Sequence, residues 1–181
     1  MLIEKMKLKD LKLLTPKIFE DKRGYFFEWY KSNLNKENGF PINFVQDNEV
    51  RSKKDVLRGL HYQLNKPQGK LVRVVLGSIL DVAVDIRIGS PTFGKYEIIE
   101  LSEQNKKIFY IPEGFAHGYI VTSKDSIVLY KCTNFYDSND QYGIKWNDDT
   151  IGINWNCSSP IISKKDELLP SLSNQKFLPE Y

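Results

Sequence analysis

Two histidines stand in this 181-residue chain, and each is framed by residues that could do chemistry with it. His61 lies in LRGLHYQ (57–63), with Arg58, Tyr62 and Gln63 around it and Lys70 nine residues on. An unperturbed imidazole titrates near pH 6.5, roughly where a neutral-pH base or acid should. Residues two apart on a strand face the same way, so His61 and Gln63 share a face. Spacing alone leaves His61 equally readable as a packed histidine or a working one. His117 sits in GFAHGY (114–119), where flanking glycines point to tight backbone geometry or a closely approaching ligand. A histidine in a strained turn reads as well there. Tyr130, in VLYKCT, reads first as a core tyrosine with its hydroxyl satisfied. Asp166, in SKKDELLP, reads first as an exposed residue at a charged helix start. Taken together, His, Tyr, Lys and Arg suit proton abstraction beside a carbonyl. A base removes a carbon-bound proton, cations steady the enolate oxygen, and an acid on the opposite face returns a proton. Such a base needs a carboxylate to fix its tautomer, and spacing does not supply one.

Other chemistries find less support. The two histidines are 56 residues apart with no His-x-His, a poor ligand set for the imidazole-rich sites that transition metals favour. Cys132 and Cys157 make no CxxC and no disulfide framework. No metal and no cofactor is expected. A net charge of +3, from 26 basic and 23 acidic residues, is too weak and too dispersed for a nucleic-acid footprint. The lysine-rich KMKLKDLK (5–12) reads as the solvated face of a first strand. No run approaches the ~18 apolar residues of a membrane span, and no N-terminal apolar run resembles a signal peptide. A cytoplasmic protein with no membrane partner is the economical expectation.

The elements that must hold these residues read as strands. With 41% hydrophobic and 27% charged residues, the chain has material for one sizeable core, and residues 1–181 are expected to form a single domain. In ILDVAVDIRI (79–88), Val82, Val84, Ile86 and Ile88 alternate with Asp81, Ala83, Asp85 and Arg87, the period of a half-buried strand. KLVRVVLG (70–77) precedes it across a Gly77-Ser78 turn. YEIIEL (96–101), KIFYI (107–111), YIVTS (119–123) and SIVLYKCTNFY (126–136) continue the pattern. SPTFG (90–94) and PEGFAHG (112–118) supply turns. Short helices are expected at 31–38 and 163–170. Many short strands between turns predict a mainly β antiparallel jelly roll with a few peripheral helices. In DKRGYFFEWY (21–30), Arg23 and Glu28 lie among five aromatics on a strand surface suited to packing on another subunit.

Several long stretches, in order, resemble one family. FVQDNEVRSKKDVLRGLHYQ (44–63), QGKLVRVVLGSILDVAVDIRIGSPTFG (68–94), IPEGFAHGY (111–119), YKCTNFY (130–136) and SKKD (163–166) are similar to the dTDP-4-dehydrorhamnose 3,5-epimerases, and DKRGYFFE (21–28) resembles their N-terminal motif. The resemblance implies a cupin-type jelly roll (a double-stranded β-helix) and a homodimer that exchanges N-terminal strands. It implies a metal-free reaction on a nucleotide-diphosphate 4-keto-6-deoxy sugar, inverted at carbons 3 and 5. It implies His61 as the base, Asp166 as its carboxylate and Tyr130 as the opposing acid, with Lys70 and Arg58 near the keto oxygen and diphosphate. Arg23, Glu28, Gln46, Asn48, His117, Tyr136 and Lys164 fall on substrate-contacting positions. In NDQYGIKW, Gln141 stands where the family usually has Glu. That keeps a GDP-linked sugar, a 4-keto-heptose or a single-centre epimerase open as alternatives.

Overall fold

The computed structural model describes residues 1–32 and 43–181. Apart from Lys31 and Ser32, the helix expected at 31–38 lies outside the described residues. Thirteen strands are described: β1 Leu2–Lys5, β2 Lys12–Thr15, β3 Phe19–Asp21, β4 Gly24–Phe26, β5 Gln46–Lys53, β6 Leu57–Gln63, β7 Lys70–Leu76, β8 Ser78–Asp85, β9 Tyr96–Ser102, β10 Ile108–Ile111, β11 Phe115–Val121, β12 Asp125–Cys132 and β13 Gln141–Gly143. One turn of helix, α1, spans Lys164–Glu167. Two antiparallel sheets form the body, a six-stranded β1-β2-β10-β7-β12-β5 and a five-stranded β13-β6-β11-β8-β9; β3 and β4 pair as a separate hairpin. This is the expected jelly roll.

Strand parity sorts the apolar side chains into three layers. Leu13, Val72, Val74, Ile79, Ala83, Leu101, Phe109, Tyr119, Val121 and Val128 meet between the sheets. Leu60, Tyr62, Val82, Val84, Ala116 and Ile120 point out of the five-stranded sheet, where Ile144, Ile151, Trp155 and Leu172 of the C-terminal segment cover them. Leu14, Leu71, Ile108 and Tyr110 point out of the six-stranded sheet, against Trp29, Tyr30 and Phe44. Burying one such side chain stabilises by roughly 1.5–3 kcal/mol, so both outer coverings add substantially to the inter-sheet core.

Five local expectations change. β8 is buried on both faces, not half-buried: its apolar face lies under the C-terminal segment, and Asp81 looks into the barrel. β11 begins at Phe115, so His117 stands on a strand rather than in a turn. β12 ends at Cys132, leaving 133–136 as a loop, and the 163–170 helix is the single turn α1. KMKLKDLK is not a solvated strand face. Most of it links β1 to β2, and its Leu8 and Leu11 enter the main core.

β6 and β11 approach most closely at two glycines, beside the two histidines. Gly59 has φ +118°, and a Cβ there would lie 2.6 Å from both Gly118 Cα and His117 O. Only glycine meets both conditions without strain. Gly59→Ala is expected to cost about 2 kcal/mol or more, a fall of roughly 4–8 °C in the thermal unfolding midpoint. An unchanged midpoint in calorimetry would show that the two strands have room to separate.

Candidate active site

One end of the barrel interior is polar. Lys70 on β7, Cys132 on β12 and Gln46 on β5 form one cross-strand row, and Tyr130 pairs with Asn48 in the next. The opposite sheet places His117 of β11 directly across from His61 of β6. These side chains line two adjoining cavities. The first, about 440 Å³, is bounded by Arg58, His61, Lys70, His117, Tyr130 and Asp166 among others. The second, about 270 Å³, takes Gln46, Asn48, Gln63, Cys132, Tyr136 and Gln141, and shares His61, Lys70 and Tyr130 with the first.

His61 finds its carboxylate 105 residues away. Its Nε2 lies 2.8 Å from Asp166 Oδ1. α1 carries Asp166 into the wall: Ser163 caps the turn, its Oγ accepting from the Asp166 backbone N–H at 3.1 Å. Asp166 Oδ2 accepts from the Gly59 N–H at 3.3 Å. Burial raises the Asp166 pKa, but the hydrogen bonds from His61, Gly59 and Ser163, with the charge of His61, outweigh it and hold the carboxyl below its usual range. An ionised carboxylate only accepts, so Nε2 carries the proton and Nδ1 is left with a lone pair.

Tyr130 comes from the other sheet. Burial pushes its phenol up, so it stays protonated through neutral pH. The Lys70 side chain makes no ion pair or hydrogen bond among the described residues. Burial pulls its ammonium down, with Cys132 and Asp81 opposing. Arg58 Nε donates to Ser52 Oγ at 3.1 Å. His117 Nε2 lies 2.8 Å from Asp81 Oδ1. Burial pushes His117 down, against Asp81 and helped by Lys70 and His61.

The second cavity is held by amides. The Tyr136 N–H donates to Gln46 Oε1, Gln46 Nε2 to Asn48 Oδ1, and Asn48 Nδ2 to Cys132 Sγ. Gln63 accepts from the Asp137 N–H and donates to the Lys66 and Phe135 carbonyls, fixing the loop that bears Tyr136. Gln141 Oε1 accepts from Tyr136 Oη at 2.8 Å and from Lys165 Nζ at 2.6 Å. An ammonium cannot accept, so the lysine fixes which end of this amide is oxygen.

Ten of the thirteen residues singled out in the sequence therefore line these cavities: His61, Tyr130, Asp166, Lys70, Gln46, Asn48, Arg58, His117, Tyr136 and Gln141. Three do not. Lys164 does not line either cavity, whereas its neighbour Lys165 does. Arg23 sits on the exposed β3–β4 hairpin, chelated by Asp21, and Glu28 lies 3.8 Å from Lys31. Sequence reasoning missed Lys165, Gln63 and Asp81. The run of two lysines gave no signal to choose between them, and Asp81 looked like the wet face of an amphipathic strand. Among the described residues, no group of three or more His, Cys, Asp or Glu is arranged for a metal ion. No described helix is long and apolar enough to cross a membrane.

An oriented imidazole, a facing phenol and a lysine around one cavity make an acid–base site for a substrate with acidic carbon-bound protons. The comparisons agree with that class. The model of the dTDP-4-dehydrorhamnose 3,5-epimerases matches residues 5–174. The enzyme of that name from Methanothermobacter thermautotrophicus is 49% identical over 157 residues, covering 85% of each chain. That of Salmonella typhimurium is 48% identical over 175 residues, covering 95% of this chain and 96% of the relative. The crystal structure of dTDP-6-deoxy-D-glucose-3,5-epimerase from Legionella pneumophila, in complex with dTDP-4-keto-L-rhamnose, superposes with a TM-score of 0.96 at 43% identity, covering 99% and 98% of the two chains. The chain belongs to the dTDP-4-dehydrorhamnose 3,5-epimerase family.

The depressed Asp166 pKa sets a pH dependence. Its contribution to stability is present above the unfolded carboxyl's pKa of about 3.9 and is lost as pH falls through the lower folded value. The stability gap between wild type and Asp166→Asn, from urea unfolding, should be flat from about pH 7 to 5 and shrink below about pH 4. A gap that grows on acidification would contradict the assignment of an ionised Asp166.

Proposed function

We propose that this epimerase converts dTDP-4-dehydro-6-deoxyglucose to dTDP-4-dehydrorhamnose by inverting carbons 3 and 5 through enolates. The observation that carries the reading is the His61–Asp166 bond at 2.8 Å, facing Tyr130 across a cavity that Lys70 also lines. The 4-keto group acidifies the protons on both neighbouring carbons. His61 Nδ1 takes one of them, and Asp166 supports the imidazolium that forms. Lys70 and Arg58 offer positive charge to the enolate oxygen and the diphosphate. Tyr130 returns a proton from the opposite face and regains one from solvent while His61 releases its own to solvent, so each centre ends inverted with no net change in protons. A turn of the ring presents the second carbon to the same pair. Oriented general acid–base groups contribute about 10²–10⁴-fold each. Gln46, Asn48, Tyr136, Gln141 and Lys165 form a polar wall suited to the nucleotide end. The relatives compared are dTDP-linked by name, so the GDP-linked alternative rests on Gln141 alone.

The working unit is read as one domain that pairs with a second copy. Phe19, Tyr25 and Phe26 are each more than half exposed on the β3–β4 hairpin, too apolar a tip for a monomer. Exchange of N-terminal strands would deliver Arg23 and Glu28 to the partner's cavity. The two free thiols, Cys132 and Cys157, suit a reducing compartment such as the cytoplasm.

Two experiments test these readings. Proton NMR in deuterated water should show deuterium at both carbons with wild type and none with His61→Ala. Tyr130→Phe should exchange protons while inverting at least about 10²-fold more slowly. Label at one carbon would make the enzyme a single-centre epimerase. For the dimer, Arg23→Ala and His61→Ala are each expected to be nearly inactive, and mixing them by co-refolding should restore activity. Each mixed dimer would hold one site with both residues intact. No recovery would place the whole site within one chain.

A further inference from the structure

Asp81 has no part in the chemistry above, yet it is among the most completely buried groups in the protein. It sits on the interior face of β8, between Ile79 and Ala83 of the main core. Its Oδ1 accepts from His117 Nε2 at 2.8 Å. Its Oδ2 is buried and has no hydrogen-bond partner among the described residues. A carboxylate that far from water is costly unless a cation answers it. His117 is a poor candidate, because burial, Lys70 and His61 all disfavour its charged form. Among the described residues no arginine or lysine nitrogen comes within 4 Å of Asp81, whose ion-pair partner is His117. What remains is Lys70, on the opposite sheet, whose side chain has no ion pair of its own; it lines the same cavity as His117, the residue bonded to Asp81, and feels the Asp81 charge. The other titratable or charged groups that line the same cavities are Cys132 and Tyr130 on β12, His117 and Tyr119 on β11, His61, Arg58 and Tyr62 on β6, Asp166 and Lys165 on α1, and Tyr136; Asp166 is already bonded to His61 and the Gly59 N–H. Burial keeps Cys132 and Tyr130 in their neutral forms at pH 7.

We propose that Asp81 is a positioning residue: its carboxylate, braced by His117, is the buried counter-charge that keeps Lys70 an ammonium where the enolate oxygen forms. His117 is the neutral spacer between them. Its Nε2–H is held by Asp81, which fixes the tautomer and leaves the Nδ1 lone pair free. The arrangement gives Lys70 a charge without giving it a contact partner, so its three N–H donors stay available to the substrate. This assignment rests on the epimerase reading, because it supplies the charge which that mechanism requires.

Asp81→Asn tests it, since the amide oxygen still accepts from His117 while the charge is gone. The variant should lose little of kcat/KM near pH 6, where Lys70 remains protonated. It should fall progressively below wild type on the alkaline side, by up to about tenfold, as the alkaline limb moves down by about one pH unit. The loss should sit in kcat rather than KM. Adding Lys70→Arg to Asp81→Asn should flatten the alkaline limb again, because a guanidinium stays charged throughout. A pH profile that is scaled down uniformly, with unmoved limbs, overturns the proposal and leaves Asp81 a structural residue. If Asp81→Asn does not fold, NMR of ¹³C-lysine wild type decides. The Lys70 resonance, assigned by its loss in Lys70→Arg, should be that of an ammonium at pH 7; a neutral amine overturns the proposal. Wild type lacking epimerase activity would instead sink the functional reading, a separate outcome.

Discussion

Asp166 is carried into the barrel wall by a single turn of helix, and its carboxylate answers two needs at once. It orients His61 and satisfies the Gly59 N–H where β6 passes β11. A buried carboxylate left without these donors would cost several kcal/mol, so the C-terminal segment is obliged to close over the five-stranded sheet in one register. That closure also seats Trp155, Ile151 and Leu172 on the outward face of β6, β8 and β11. Fold and site therefore depend on the same bond. The chain must be complete through residue 166 before His61 has its partner.

The interior shows how one parity rule serves two purposes. Inward positions of β7 and β12 are apolar toward one end, with Val74 and Val128, and polar toward the other, with Lys70 and Tyr130; on β8 and β11, Asp81 and His117 sit between core residues, Ile79 and Ala83 on one strand and Phe115 and Tyr119 on the other. The strands run unbroken between the two, so packing at the apolar end fixes the geometry of the polar end. Rigid strands hold reacting groups more closely than loops do, and proton transfer demands that closeness.

Periodicity made most strands legible, since alternation over KLVRVVL or YEIIEL survives any tertiary context. It failed where a second layer covers the outer face. Nothing within 79–88 announces that residues 144–178 will cover its apolar side, so Asp81 and Asp85 looked wet when they are buried. Of the glycines around His117, Gly114 does make the turn before β11, whereas Gly118 lets two strands approach. His61 was ambiguous by spacing because its partner lies 105 residues away; order-preserving motifs resolved it where local pattern did not. Lys165 was missed because which of two adjacent lysines faces a cavity depends on the phase of a four-residue helix, too short for periodicity to register.

Cys132 and Lys70 stand side by side in the cavity wall, beside the place where a ketone would bind. Ketones are electrophiles. A free amine condenses with them to an imine, and a thiolate adds to them as a hemithioketal. Burial raises the Cys132 pKa, so it remains a thiol, a weak nucleophile. An ammonium has no lone pair to attack with. On the proposed reading, in which Lys70 is an ammonium, holding both side chains protonated would do more than steady an enolate: it would keep the wall from adding to its own substrate, turnover after turnover.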